Sequence, residues 1–138
     1  MRSVLSCRHR ACTRNAAPPY QTVIWVPGGE AFLFPSSENL TTPFLYDFLP
    51  RSGRAVVYPV YKGIYERRMP FSTANEWRDM MIQWSKDIGR TLDYLESRKD
   101  IDTTKLAYYG LSSGARDGPI FTTIDGRFKA GVLLAAGL

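Results

Sequence analysis

Four short apolar runs, separated by stretches with helical periodicity, leave this chain few ways to fold. The runs are Thr22–Val26 (TVIWV), Arg54–Val60 (RAVVYPV), Leu106–Tyr109 (LAYY) and the segment FKAGVLLAAG that begins at Phe128. Each is short and apolar, as a strand buried in a sheet is. Between the first two, Phe44, Leu45, Phe48 and Leu49 have helix-like spacing that Gly53 ends. Between the second and third, Trp77, Met81, Trp84, Ile88, Leu92 and Leu95 recur every three or four residues, which predicts a helix over about 75–98 packed by one stripe on a sheet. A shorter helix is expected over 113–123, kinked or shortened by Pro119. The segment YKGIYERRMPFSTANE reads as a polar loop. Strands alternating with helices give a mostly parallel α/β sheet covered by helices on both faces.

The third strand runs into GLSSG (Gly110–Gly114), a G-x-S-x-G pattern. Alone the pattern is weak; between a predicted strand and a predicted helix it describes a sharp turn that exposes a serine at the carboxyl end of a sheet. Ser112 is therefore the candidate nucleophile, and Gly110 and Gly114 are expected because side chains there would strike the neighbouring strand and helix. The helix beginning after Ser112 offers free N–H groups and a positive dipole end. The N–H of Ser113 is one candidate oxyanion donor. The second is assigned to the loop VPGGEA after the first strand, at Gly29, with Glu30 as its alternative.

On these residues, 21–138 resemble the first part of an α/β-hydrolase domain, nearest in texture to the dienelactone hydrolase, acetyl xylan esterase and prolyl-oligopeptidase branch. SGRAVVYPVYKGIYERR and IDTTKLAYYGLSSGARDGPIF also resemble hydrolase-like domains attached to some bacterial serine/threonine protein kinases. The resemblance implies a serine hydrolase of the esterase or peptidase type that works through an acyl-enzyme and takes small-molecule esters or peptides without a cofactor. It maps the nucleophile onto Ser112 and the oxyanion hole onto Ser113 and Gly28–Glu30. Members of the family often carry a bulky residue after the serine; here Ser113 leaves space beside the pocket.

In such a domain the acid and the histidine come after the serine in that order. The chain has one histidine, His9, and it lies far ahead of Ser112 rather than after it. Asp117 and Asp125 lie too soon after the serine for the acid and are expected as surface or capping groups. The expectation is an incomplete hydrolase fold, truncated before its last strands and inactive by itself. An open sheet edge is then expected to drive self-association. Two alternatives are a non-catalytic hydrolase-like interaction module and a truncated reading frame without a function of its own.

Charge narrows the partners. The net charge is +5, but Arg2, Arg8, Arg10 and Arg14 lie in residues 1–20, which hold no acid, leaving the remainder at +1. The body thus lacks the basic face of a nucleic-acid binder, and residues 1–20 read as a disordered basic tail. Cys7, His9 and Cys12 lie in that tail without a fourth ligand for zinc, so no metal is expected. A body free of cysteine suits a reducing compartment such as the cytoplasm. No run reaches the roughly 18 apolar residues of a membrane span.

Overall fold

Two of the apolar runs lie side by side near the middle of a five-stranded sheet and bring their carboxyl ends together. In chain order the strands are β1 (Ser3–Leu5), β2 (Tyr20–Val26), β3 (Ala55–Pro59), β4 (Ile101–Leu111) and β5 (Phe128–Leu134), and they are arranged as β1-β3-β2-β4-β5. The computed structural model describes residues 3–5, 17–38, 40–69 and 72–137, the first three by their backbone alone. Strands β2 to β5 are parallel: Ile24 lies opposite Val57 and Tyr108, and Gly110 lies opposite Val26 and Leu133. The α/β class expected from the sequence is the class observed. β1 is an antiparallel addition, with Ser3 opposite Pro59. Three residues of the tail expected to be disordered therefore pair with the outer edge of β3, whose free N–H and C=O groups accept a strand. Cys7, His9 and Cys12 lie outside the described residues.

Three helices pack on this sheet: α1 (Phe48–Arg51), α2 (Ala74–Glu96) and α3 (Ser113–Ile124). Trp25, Tyr58 and Tyr109 share one face, where Tyr46, just ahead of α1, packs on Trp25 at 5.0 Å between ring centroids. On the other face Tyr108 donates its hydroxyl to the Gly114 carbonyl of α3 (2.6 Å), and α2 meets α3 through Trp84 and Phe121 (6.4 Å). α2 starts at a reciprocal cap: the Glu76 N–H donates to Thr73 Oγ1 (3.2 Å) and the Thr73 N–H to Glu76 Oε2 (2.9 Å). Its buried stripe is Met80, Trp84, Ile88, Thr91, Leu92 and Leu95, with Trp77 and Met81 at the margin.

Three expectations need correction. The helix expected around Phe44–Leu49 is a 3-10 turn, Pro43–Leu45, and then the single turn of α1. Pro43 and Pro50 remove the amide donors a continuous helix needs there, and Phe44 and Phe48 stay exposed. α3 runs through Pro119 without shortening. Its seat explains this: Gly118 lies so close to Tyr108 and Leu133 that a methyl group there would come within 2.7 Å of both. The segment read as a polar loop buries Tyr61, Ile64 and Tyr65. Trp84 donates its indole N–H to the Lys62 carbonyl, and Arg67 pairs with Asp87 at 2.7 Å.

Arg127 ties the turn before β5 to α2. Its guanidinium donates to Asp125 (2.6 Å), Asp93 (2.9 Å), Glu96 (3.0 Å) and the Gly89 carbonyl (3.2 Å). The Arg127 hydrogen bond holds the Asp125 carboxyl below its ordinary value. A carboxyl lowered by folding stabilises the fold above its unfolded pKa of about 3.9, and that contribution is lost as pH falls through the folded value. Arg127→Ala is expected to cost about 1.5–3 kcal/mol at pH 7. Urea unfolding at pH 7 and pH 3 checks this: the gap between variant and parent should shrink at the lower pH.

Candidate nucleophile site

The strand order creates the crevice before any side chain is considered. The connection leaving β2 passes through α1 to β3 on one side, whereas α3 carries the chain from β4 to β5 on the other. Adjacent parallel strands whose connections depart in opposite directions leave a crevice at their carboxyl ends, where ligands bind in open α/β sheets. Val26 and Gly110 are the opposed residues at that end of β2 and β4. The loop Pro27-Gly28-Gly29 leaves β2 there, and Leu111-Ser112-Ser113 leaves β4, so the two segments share one crevice.

Ser112 occupies the tightest point of this crossing. Its backbone has φ 49° and ψ −110°, a conformation that costs a non-glycine residue about 1–3 kcal/mol. The Ser112 N–H donates to the Leu134 carbonyl (2.8 Å), and the Ser112 carbonyl accepts from the Arg116 N–H (2.8 Å). Both flanking glycines are sterically required. A methyl group on Gly110 would lie 2.5 Å from the Gly114 carbonyl oxygen, and one on Gly114 would lie 2.5 Å from that of Val26. Ser112 is exposed. α3 begins with no side-chain cap, so the N–H of Ser113, its first residue, has no acceptor within the helix.

The loop after β2 forms the opposite wall. Gly29 opens the 3-10 turn Gly29–Phe32, and a methyl group on it would meet nothing within 4 Å. Gly28 is the glycine that faces the serine. A side chain there would come to 3.1 Å of Ser112 Cβ and overlap the Glu30 carboxylate. That carboxylate folds back over the turn: Glu30 Oε1 accepts the Gly28 N–H (3.1 Å) and the Thr41 hydroxyl (3.3 Å).

Behind Thr41 lies a cluster of hydroxyls that sequence reasoning missed. Tyr58 and Tyr65 hydroxyls are 2.7 Å apart, and the Thr41 hydroxyl is 3.0 Å from Tyr65 and 3.2 Å from Tyr58. The Thr41 N–H also donates to the Tyr65 hydroxyl (3.3 Å). Burial pushes the Tyr58 hydroxyl far above its ordinary range, so it remains a proton donor. Three O–H donors with Glu30 as the terminal acceptor make a chain of hydrogen bonds directed at that carboxylate. Replacing Tyr65 by Phe removes one link, an effect of about 1 kcal/mol on stability in a urea titration. No local spacing in the sequence brings Thr41, Tyr58 and Tyr65 together, although Tyr65 has a positive φ of 48° that marks it as constrained.

The sequence-derived residues divide cleanly. Ser112, Ser113 and the Gly28–Glu30 loop converge on the crevice. Asp117 and Asp125 do not. Asp117, expected at the surface, is buried on α3 and held by Arg116 at 2.7 and 2.9 Å, while the guanidinium stacks 5.1 Å from the Trp77 ring centre. Asp125 sits at the far end of α3 with Arg127. None of the described residues is a histidine, and none of their His, Cys, Asp and Glu side chains form a cluster of three fit to hold a metal ion. No helix among them is long and apolar enough to cross a membrane.

Solved structures with a similar fold include hydrolases. The alpha/beta hydrolase GrgF from Penicillium sp. sh18 superposes with a TM-score of 0.62 at 18% identity, over 84% of this chain and 37% of that one. An acetyl xylan esterase from Paenibacillus sp. R4 gives 0.61 at 21% identity, over 88% of this chain and 41% of the other. The methylesterase BT1017 gives 0.57 at 25% identity, over 81% and 25%. This chain thus spans about two-fifths or less of the length of these structures. No family model matches it, and none of the curated proteins does.

Proposed function

We propose that this chain, whose fold is part of the α/β-hydrolase fold, carries the nucleophile half of a serine hydrolase that cleaves esters through an acyl-enzyme. The observation that supports it is the strained, exposed Ser112 wedged between two obligatory glycines at the switch point of the sheet. In this reading Ser112 Oγ attacks the ester carbonyl and loses its proton to a base. The carbonyl oxygen becomes an oxyanion held by the N–H groups of Ser113 and Gly29. Collapse expels the alcohol, and water then hydrolyses the acyl-serine. The base and its orienting acid are not among the described residues; the reading assigns them to further parts of the domain. Ester rather than peptide substrates are favoured because the structural neighbours include named esterases.

A fluorophosphonate probe tests the nucleophile without needing turnover. Prolonged incubation at pH 9, where hydroxide serves as the base, and then peptide mapping should place the adduct on Ser112 ahead of other exposed serines such as Ser72 and Ser97. Ser112→Ala should abolish that adduct. Labelling spread over serines without preference for Ser112 would count against the proposal.

The exposed edge of the sheet supports a second reading, an interaction module. Val132, Leu133 and Leu134 of β5 are 53%, 44% and 38% exposed, and the outer edge of β5 has no partner strand among the described residues. Long apolar edges pair with other chains. Sedimentation velocity should find this chain self-associated, with Val132→Lys moving it toward monomer. A monodisperse monomer would remove this reading.

A further inference from the structure

A cavity of about 630 Å³ is lined by Glu30, Phe34, Pro35, Ser36, Thr41 and Thr42. Glu30 is the wall it shares with the crevice, since the same carboxylate lies over Gly28 next to Ser112. The lining has two unusual features. Among the described residues Glu30 forms no ion pair, and the hydrogen bonds it accepts, from Gly28 and Thr41, go to Oε1. The buried Thr42 hydroxyl has no hydrogen-bond partner among the described residues, and Thr42 is held at a positive φ of 53°. Glu30 therefore gives the cavity a negative charge that no cation among the described residues offsets. Phe34, 48% exposed, and Pro35 supply an apolar wall.

From this lining we infer that the cavity is a specificity pocket for a cationic, donor-bearing group on an apolar stem, an alkyl- or arylammonium, carried by the ester that Ser112 attacks. The ammonium donates to Glu30 Oε2, and the stem lies against Phe34 and Pro35. The hydroxyl chain from Tyr65 and Tyr58 through Thr41 fixes the carboxylate, so the charge is positioned before the ligand enters. The same charge repels an anionic acyl or alcohol group. The inference rests on the assignment of Ser112 for the identity of the reacting ester, whereas recognition of the cation does not need a reactive serine.

Binding of three probes of one shape to the full chain tests this by backbone amide NMR at pH 7: benzylammonium, benzyl alcohol and benzoate. Benzylammonium should shift the amides of Gly28, Gly29, Thr41 and Thr42 in a saturable way, at least about tenfold more tightly than benzyl alcohol, with benzoate binding least. Glu30→Gln should bring benzylammonium down to the level of the alcohol. Because Glu30 also braces the Gly28 turn, Phe34→Ala serves as a second variant at an exposed position, and it should weaken benzylammonium and benzyl alcohol alike. Equal affinity for the cation and the alcohol, or shifts unaffected by Phe34→Ala, would overturn the pocket. Selective binding without fluorophosphonate labelling would leave the pocket standing and remove the nucleophile; labelling without selective binding would do the reverse.

Discussion

Incubated with p-nitrophenyl acetate, this chain is expected to show no turnover that Ser112→Ala removes. A serine hydroxyl is a weak nucleophile until a base takes its proton, and the described residues around Ser112 hold no histidine. Removing the base of a serine triad costs about 10⁶ in kcat, which brings an ordinary enzyme of about 10 s⁻¹ down to about 10⁻⁵ s⁻¹. Spontaneous ester hydrolysis hides a rate of that size. A stoichiometric fluorophosphonate adduct accumulates over hours, whereas turnover demands repeated proton transfer, so labelling and silence toward the ester are compatible. His9→Ala is the informative control, because His9 is the one imidazole in the chain. Steady release of p-nitrophenol that disappears in both Ser112→Ala and His9→Ala would make His9 the base and defeat the expectation. Release that disappears in Ser112→Ala alone would defeat it too, through a base of another kind.

Sequence reasoning reached the parts of this fold that repeat locally. β2 and β3 announce themselves because buried parallel strands need unbroken apolar runs, and α2 because its inner stripe repeats every three or four residues. The placement of Ser112 came from the same logic, as a G-x-S-x-G turn between a strand and a helix has few other geometries. β4 was legible only in part. Its apolar core is Leu106–Tyr109, yet the strand begins at Ile101 opposite Tyr20, and the polar stretch Asp102–Lys105 lies where the register shifts before Thr22 meets Leu106. An irregularity of that kind breaks the alternation that would mark a strand in the sequence. The Glu30–Thr41–Tyr58–Tyr65 chain was invisible because its members come from four segments and meet only after β3 packs. Asp117 was misplaced for a related reason: an acid one residue from an arginine looks exposed until the helix seats it inward.

Gly114→Ala is expected to lower stability by about 2–3 kcal/mol and to abolish labelling of Ser112, against the usual direction for a glycine inside a helix. By propensity alone the substitution should help by about 1 kcal/mol, since alanine is the better helix former. The close packing decides the sign. The added methyl group would lie 2.5 Å from the Val26 carbonyl oxygen, 2.7 Å from that of Pro27 and 2.9 Å from Val26 Cγ1. The two closest contacts are backbone atoms at the end of a buried central strand, so no flexible side chain can yield. Relief requires α3 to lift off β2, which carries Ser112 and Ser113 away from the Gly28–Gly29 loop and dissolves the crevice. Gly126→Ala provides the matched comparison, because a methyl group there meets nothing within 4 Å and the residue has no positive φ. It should be neutral or stabilising by about 0.4–1 kcal/mol. Urea midpoints of the two variants, read beside fluorophosphonate labelling, separate the outcomes. If Gly114→Ala unfolds at the parent's midpoint and still labels, α3 does not rest on β2 as described, and the geometry assigned to Ser112 falls with it.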